Sequence, residues 1–401
     1  MTYEAEIPFG AYWCTPFARW QGSMAHLNAV ELAAHVAKQA LHDRAIDPVQ
    51  FKFGVLGTSV PQHHAFYGFP WLAAMIGADD ATGPSIGQAC ATSVRCLASG
   101  ALEIAAGLSD SALLVACDRT SNGPHIYYPD PLGPGGTGTS ENWVMDNFSC
   151  DPNGNHSMVV TAENVASKHG ITTDEQHEIV LMRTEQYRAA LAGDRAFQRR
   201  YMISPMGIPT ANFRKTATVL DGDEGVVLST AQRLGRLRPV LDGGSVTYGG
   251  QTHPADGNAA IILANADKAR EMSANPDIRV RILGFGSGRA DRAYMPEATI
   301  PATKHALADA NLAIADMDAI NSHNPFALND IVFSRQTGAD VSKMNAYGCS
   351  LIWGHPQGPT GMRSIIELIE ELALRGGGNG LFQGCAAGDT AMAIVINVSD
   401  G

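Results

Sequence analysis

One cysteine among small residues and two distant glycine-rich turns carry the chemistry legible in this chain. Cys90 stands in Ile86-Gly87-Gln88-Ala89-Cys90-Ala91-Thr92-Ser93, directly ahead of an amphipathic stretch over 94–107. At a helix N-terminus, unpaired N–H groups and the helix dipole favour a thiolate and can lower a cysteine pKa to roughly 3.5–7.5. The spacing therefore predicts an ionised nucleophile. Gly354-His355-Pro356 supplies an imidazole to take its proton, and Gly384-Cys385-Ala386-Ala387-Gly388 a second thiol. His323, in His323-Asn324-Pro325-Phe326, is like His355 followed within two positions by Pro. Each belongs to a turn that fixes a loop backbone rather than to a helix face.

Other residues of the same types have a structural reading. Cysteine is among the most buried residue types, so Cys14, Cys96, Cys117, Cys150 and Cys349 are expected to pack without chemistry. His63-His64, read as a strand pair, would point to opposite faces, and no zinc site is expected there. Gly284-Phe285-Gly286-Ser287-Gly288 lacks the GxGxxG spacing and an acidic ribose ligand, and reads as the turn where a second half begins. The five tryptophans are expected in the core or at an interface, with Trp353, beside Gly354-His355, a candidate wall of the pocket at that turn.

These residues need a scaffold, and the pattern around them alternates helical and strand-like segments, which indicates an α/β architecture. Leu32, Val36, Ala40 and Leu41 have the spacing of an amphipathic helix over 28–45, and 112–116 is an apolar run suited to a buried strand. The same order returns late: a helical period over 364–374, a break at Gly376-Gly377-Gly378, and a closing strand over 391–398. Between these halves, 118–250 begins rich in Pro, Gly, Asn and Asp and becomes helical over 161–191. It reads as an ordered insertion.

The 401 residues suggest two or three domains, and 45% hydrophobic residues suffice for a sizeable core. A net charge of -12 argues against a general nucleic-acid surface. Seven cysteines with no CxxC spacing, one odd under any full pairing, read as reduced. The start Met1-Thr2-Tyr3-Glu4-Ala5-Glu6 has no basic region of a secretory signal, and no apolar run reaches about eighteen residues. A cytoplasmic protein without a membrane span is the expectation.

Together the clusters resemble the thiolase family over nearly the whole chain. In that family a cysteine follows a short Asn- or Gln-rich strand end, a Gly-His-Pro motif comes late, and a Cys-x-Gly-like loop closes the chain. Here these are Cys90, the run Gly354-His355-Pro356-Gln357-Gly358-Pro359-Thr360-Gly361-Met362-Arg363, and Cys385 with Gly388. The ten-residue run is the most specific of them. Weaker similarities keep the expected order: Thr161-Ala162-Glu163-Asn164-Val165-Ala166, Asp223-Glu224-Gly225, Leu237-Arg238-Pro239-Val240, and Ser245-Val246-Thr247 leading to Asp256-Gly257.

The resemblance implies a five-layered αβαβα fold of two similar halves. Residues 1–117 with 251–272 would form one half, 273–401 the other, and 118–250 an inserted loop domain that covers the active site and holds coenzyme A. It implies Cys90 as nucleophile, His355 as its base, and Cys385 as the acid or base at the acyl-CoA carbon. His323 would serve an enolate oxyanion, and backbone N–H groups at Cys90 and near Ala387 the tetrahedral adduct. Thr252, His253 and His156 would border the coenzyme A pocket; no metal and no tightly bound cofactor are implied, coenzyme A being a co-substrate.

Departures from the family pattern bear on the substrate. The usual Asn-Glu-Ala-Phe segment is replaced by His323-Asn324-Pro325-Phe326, similar to sterol-carrier-type and archaeal branches and to Cys-His-His ketosynthases. Cys90-Ala91-Thr92-Ser93 replaces Cys-Ala-Ser-Gly, and Thr252-His253 replaces Ser-Gly, both adding bulk near the ligand. With the aromatic run Phe66-Tyr67-Gly68-Phe69-Pro70-Trp71, they suggest a bulky or aromatic acyl group, as in 2-benzoylsuccinyl-CoA, rather than acetoacetyl-CoA. The alternatives are a ketosynthase-like condensing enzyme that does not depend on Cys385, and a non-catalytic acyl-CoA-binding subunit. The family further implies a homodimer or tetramer, and in the divergent branch a small OB-fold and zinc-ribbon partner.

Overall fold

The computed structural model describes residues 3–400. Met1 and Thr2, where the acidic amino-terminal segment begins, and Gly401 lie outside the described residues.

Two sheets organise the chain. The first contains β1 (Tyr12–Cys14), β2 (Ala18–Arg19), β3 (Phe53–Gly57), β4 (Ser85–Ile86), β5 (Ser111–Arg119) and, after a long excursion, β10 (Ala255–Ala264). The excursion carries two hairpins, β6 (His125–Tyr128) with β7 (Thr139–Asn142) and β8 (Met206–Pro209) with β9 (Thr216–Leu220). The second sheet contains β11 (Ile278–Arg289), β12 (Ala319–His323), β13 (Gly378–Ala386) and β14 (Thr390–Asp400).

The two halves repeat one wiring. In the first sheet the order β1-β10-β5-β3 is antiparallel, antiparallel, parallel; in the second, β11-β14-β13-β12 follows the same sequence of senses. Parallel neighbours need a helical crossover. In the first half this is Thr92–Ala105 between β3 and β5, and in the second Pro359–Leu374 between β12 and β13.

Strand alternation produces the layers. Along β5, Leu113, Val115 and Cys117 face the outer helices Ala29–Asp43 and Phe69–Ile76, while Leu114 and Ala116 face inward. Along β14, Met392, Ile394 and Ile396 face inward and Ala391, Ala393 and Val395 face the outer helix Thr299–Ala310. The two crossover helices lie between the inward faces, giving helix, sheet, helix, sheet, helix.

Several expected elements take a different form. β5 runs to Arg119, so the excursion leaves the sheet two residues later than expected. Its helical part is two helices, Met158–His169 and Thr173–Arg195, divided at Gly170 with φ 59°. Gly284, Gly286 and Gly288 are not a turn: β11 continues through them, with a shift of register against β14 between Ile282 and Gly284. A Cβ at Gly286 would stand 2.0 Å from Ala302 O, and at Gly284 2.5 Å from Ala306 O, so the glycines admit helix Thr299–Ala310 against the strand. His63 and His64 are not in a strand; His64 has φ 67° and the rings lie 3.7 Å apart instead of on opposite faces.

The central helix Pro359–Leu374 buries Arg363, Glu367, Glu370 and Glu371. Arg363 donates to both oxygens of Asp223 at 2.6 and 2.8 Å and to Glu367 at 3.0 Å. Tyr12 donates to Glu370 at 2.6 Å. Buried charges persist only when paired, and here the pairing fastens the excursion, through Asp223, to the core.

Candidate active site

Cys90 occupies a strained turn. Ala89 has φ 44°, an uncommon value for a residue with a Cβ and one that costs about 1–3 kcal/mol unless surroundings impose it. Thr92, the first helical residue, imposes it: its hydroxyl donates to Ala89 O at 2.7 Å and accepts from Gln88 N–H at 2.8 Å. The nucleophile is thereby presented ahead of the helix N-terminus, half-buried.

His355 enters through a second constrained turn. Its N–H donates to His253 O at 2.9 Å and its carbonyl accepts from Ala255 N–H at 3.3 Å, which stitches it to the start of β10. Gly354 has φ 97°, and a Cβ there would meet His253 Nε2 at 2.8 Å. The imidazole reaches Thr360 Oγ1 with Nδ1 at 2.6 Å and Cys90 Sγ with Nε2 at 3.0 Å. Gln357 Oε1 approaches the same sulfur at 3.3 Å.

Asp118 at the end of β5 joins the two turns. Oδ2 accepts from Gly358 N–H at 2.8 Å and from the Ser59 hydroxyl at 2.8 Å. Oδ1 accepts from Ser59 and Val60 N–H at 2.8 Å each and from the Thr58 hydroxyl at 2.9 Å. Burial pushes its carboxyl up to about 6 against the pull of these donors.

His323 and Cys385 close the site from adjacent parallel strands. His323 on β12 is registered with Gly384 on β13, where a Cβ would lie 3.0 Å from His323 Cβ. Cys385 follows by one residue, fully buried, with Asn329 Nδ2 donating to its sulfur at 3.3 Å. The His323 and His355 rings stack at 4.1 Å with planes 29° apart. His323 Nδ1 lies 2.8 Å from Ser350 Oγ, while its Nε2 has no hydrogen-bond partner among the described residues.

The expected resting thiolate is not what this environment supports. Burial pushes the Cys90 thiol up to about 12, although the backbone N–H groups of Ala387 and of Cys90 itself pull the other way, and Asp118 adds to the rise. His355 is depressed well below its ordinary value by burial, then by His323, with Gln357 opposing. Burial lowers His323 to about 3. The Cys90–His355 pair therefore rests as thiol and neutral imidazole, because removal from water outweighs the helix N-terminus. Cys385 is raised by burial first and by Cys90 second, so it too holds its proton.

Of the residues read from sequence, Cys90, His323, His355 and Cys385 converge, with Ala387 N–H facing the Cys90 sulfur. Thr252 and His253 lie behind the centre: Thr252 Oγ1 donates to Ser350 O at 2.5 Å, and His253 packs under Gly354. His156 stands apart in the excursion with Nδ1 3.2 Å from Ser157 O, and no hydrogen bond or ring contact among the described residues joins it to Cys90. The expected bulk at Thr92 and Ser93 does not face a ligand; both are fully buried, Ser93 donating to Gly358 O. Phe66 is 95% exposed, and Trp353 is core, edge-on to Phe17 with Arg363 4.2 Å over its ring.

Sequence reading missed Asp118, Asn324, Asn329, Ser350 and Thr360 as partners of the site. Their signal exists only in three dimensions, since each acts on a residue of another element or through the turn of one. Cys90 Sγ and ring nitrogens of His323 and His355 lie within 4.8 Å of one another, a grouping that could touch an ion. No helix among the described residues is long and apolar enough to cross a membrane.

Comparison with known proteins agrees with this geometry. The family described as thiolase, N-terminal domain, matches residues 11–267, and thiolase, C-terminal domain, matches 277–398. The chain is 30% identical over 393 residues to an acetyl-CoA acetyltransferase of Escherichia coli K12, covering 95% of this chain and 96% of that one. The crystal structure of human mitochondrial 3-ketoacyl-CoA thiolase superposes with TM-score 0.89 at 26% identity, covering 99% of this chain and 100% of that one. The same human enzyme in complex with CoA gives TM-score 0.88 at 25% identity, covering 100% and 99%.

Proposed function

The chain belongs to the thiolase family and is an acyltransferase, and from that premise we propose that it cleaves a 3-oxoacyl-CoA with free coenzyme A through an acyl-enzyme on Cys90. The observation that carries the reading is the 3.0 Å approach of His355 Nε2 to Cys90 Sγ. His355 takes the thiol proton as sulfur attacks the ketone carbon, and the alkoxide is held by the N–H groups of Cys90 and Ala387. Collapse breaks the carbon–carbon bond and sends its electron pair to the neighbouring carbon as a thioester enolate. His323 and His355 face that oxygen.

Cys385 protonates the enolate carbon and is left as thiolate, releasing the shorter acyl-CoA. Coenzyme A then enters, gives its thiol proton to Cys385 and takes the acyl group, and Cys90 recovers its proton from His355. The cycle balances and predicts ping-pong kinetics. Mixing the protein with an acyl-CoA and measuring intact mass tests it: an acyl adduct absent from Cys90→Ala is expected, and no adduct overturns the reading.

The Cys90, His323, His355 grouping with its stacked imidazoles favours, as second reading, a ketosynthase-like condensation. Cys385→Ala separates the two, since only the thiolase cycle needs that thiol. A bulky or aromatic acyl group is our finer proposal, supported by the divergent His323-Asn324-Pro325-Phe326 segment. A thiolysis panel of acetoacetyl-, long-chain and aryl 3-oxoacyl-CoAs tests it, and preference for acetoacetyl-CoA removes it. Coenzyme A is the co-substrate, Thr252, His253 and His156 are the proposed border of its pocket, and seven free cysteines support a reducing, cytoplasmic setting. A homodimer or tetramer, with or without a small partner subunit, is tested by light scattering.

A further inference from the structure

Behind His323 runs a buried chain of polar groups that none of the catalytic steps uses directly. Arg183, from helix Thr173–Arg195 of the excursion, pairs with Asp330 at 2.9 Å, and both side chains are fully buried. Asp330 Oδ2 accepts from Asn324 Nδ2 at 2.6 Å, and Oδ1 from the Ser322 hydroxyl at 2.7 Å. With its amide nitrogen held by a carboxylate, Asn324 must turn Oδ1 the other way, where Leu351 N–H donates to it at 3.3 Å. Asn324 N–H donates to Ser350 Oγ at 3.3 Å.

The serine hydroxyl has one proton and two candidate acceptors. His323 Nδ1 lies at 2.8 Å and Asn324 Oδ1 at 3.3 Å, and the latter already takes Leu351 N–H. Good O–H hydrogen bonds fall at about 2.5–3.0 Å, so the shorter contact is the stronger one. A neutral imidazole carries one N–H, and accepting at Nδ1 places it on Nε2.

We infer that Ser350, oriented by the Asn324–Asp330–Arg183 chain, donates to His323 Nδ1 and fixes the tautomer in which Nε2–H faces the substrate oxygen. Ser350 is thus a positioning residue. Burial keeps the ring neutral, so a single proton must be on the correct nitrogen. Thr360 acts in the opposite sense on His355: Nδ1 donates to Oγ1, leaving Nε2 free to accept from Cys90. Two stacked imidazoles are thereby set as one donor and one acceptor. This rests on the thiolase reading for its purpose, not for its geometry.

Protein labelled with ¹⁵N-histidine reports the tautomer directly. For the free wild-type protein, the His323 ring is expected to show a protonated Nε2 and an unprotonated Nδ1; the reverse pattern overturns the inference whatever the activity. Kinetically, Ser350→Ala is expected to slow cleavage of whichever 3-oxoacyl-CoA of the thiolysis panel the wild type cleaves fastest about 10²-fold at little changed KM. Exchange of labelled CoA into the acyl-CoA whose acyl group this substrate leaves on Cys90, which passes through acyl-Cys90 without an enolate, should slow at least tenfold less. Equal slowing of both reactions makes Ser350 merely structural and overturns its assigned role. Absence of a Cys90 adduct in wild type overturns the thiolase reading and leaves the tautomer result standing.

Discussion

Cys90 and His355 are 265 positions apart in sequence, yet they occupy equivalent places in the two halves, each just ahead of a central crossover helix. The pseudo-symmetric wiring brings the two helix entrances together, so one half presents the thiol and the other its base. Removing either partner should therefore be far worse for turnover than for folding.

Cys90→Ser should lower thiolysis by at least about 10³-fold and abolish the acyl adduct, because a serine hydroxyl is a poorer nucleophile and leaving group. Circular dichroism and thermal unfolding should change little. His355→Ala should cost about 10²–10⁴-fold in kcat through loss of the base. Retained turnover in either variant, measured by consumption of a 3-oxoacyl-CoA, would contradict the assigned roles.

Asp118→Asn should weaken both turns at once. Its amide could still serve Ser59 and Val60 N–H through Oδ1, but an NH₂ would then face Gly358 N–H and leave it unpaired, at about 1–3 kcal/mol. The expected result is a lower unfolding midpoint in urea and a fall in kcat, since Gly358 lies between Gln357 and Thr360. An unchanged midpoint would remove Asp118 as the link between halves.

His323 gives the protein an acid-sensitive term whose sign follows from its depressed pKa. Between the ordinary imidazole value of about 6.5 and about 3, the unfolded chain binds a proton that the folded one refuses. This contribution is complete above pH 6.5 and is lost as pH falls towards 3, at about 1.4 kcal/mol per unit. His323→Asn does not titrate, so its stability relative to wild type should improve as pH drops from 7 to 5. Urea unfolding of both proteins at the two pH values measures this, and a pH-independent difference would refute it.

Gly286→Ala tests the reading of β11. The added Cβ would meet backbone, Ala302 O at 2.0 Å, which cannot rotate away. Displacing helix Thr299–Ala310 should cost about 1–3 kcal/mol, visible as a lower melting temperature with the acyl adduct on Cys90 still formed.

Much was legible without coordinates where local rules govern. The amphipathic stretch at 28–45 became helix Ala29–Asp43, capped by Asn28, whose side chain accepts from Val30 and Glu31 N–H. The apolar run at 112–116 and the closing strand at 391–398 fell inside β5 and β14. The helical period at 364–374 missed the first turn of Pro359–Leu374, because Pro359, Thr360 and Gly361 are chosen for the turn behind His355 and the close approach to Ser93 and Phe382 rather than for an apolar stripe. Gly284 to Gly288 misled for a related reason: glycine spaced by two in a strand records a neighbour's proximity, and the neighbour is invisible in one dimension.

By itself the sequence determined which side chains could do chemistry, two thiols and two imidazoles, but of the turns expected around them only those of Cys90 and His355 formed, since His323 ends β12 and Cys385 lies within β13. Only the tertiary structure decided their protonation and partners. Burial raised Cys90 to about 12 and lowered His323 to about 3, and Asp118, Ser350 and Thr360 acquired their partners through folding. Desolvation and hydrogen-bond geometry depend on everything packed around an atom, and that surrounding is assembled from both halves of the chain.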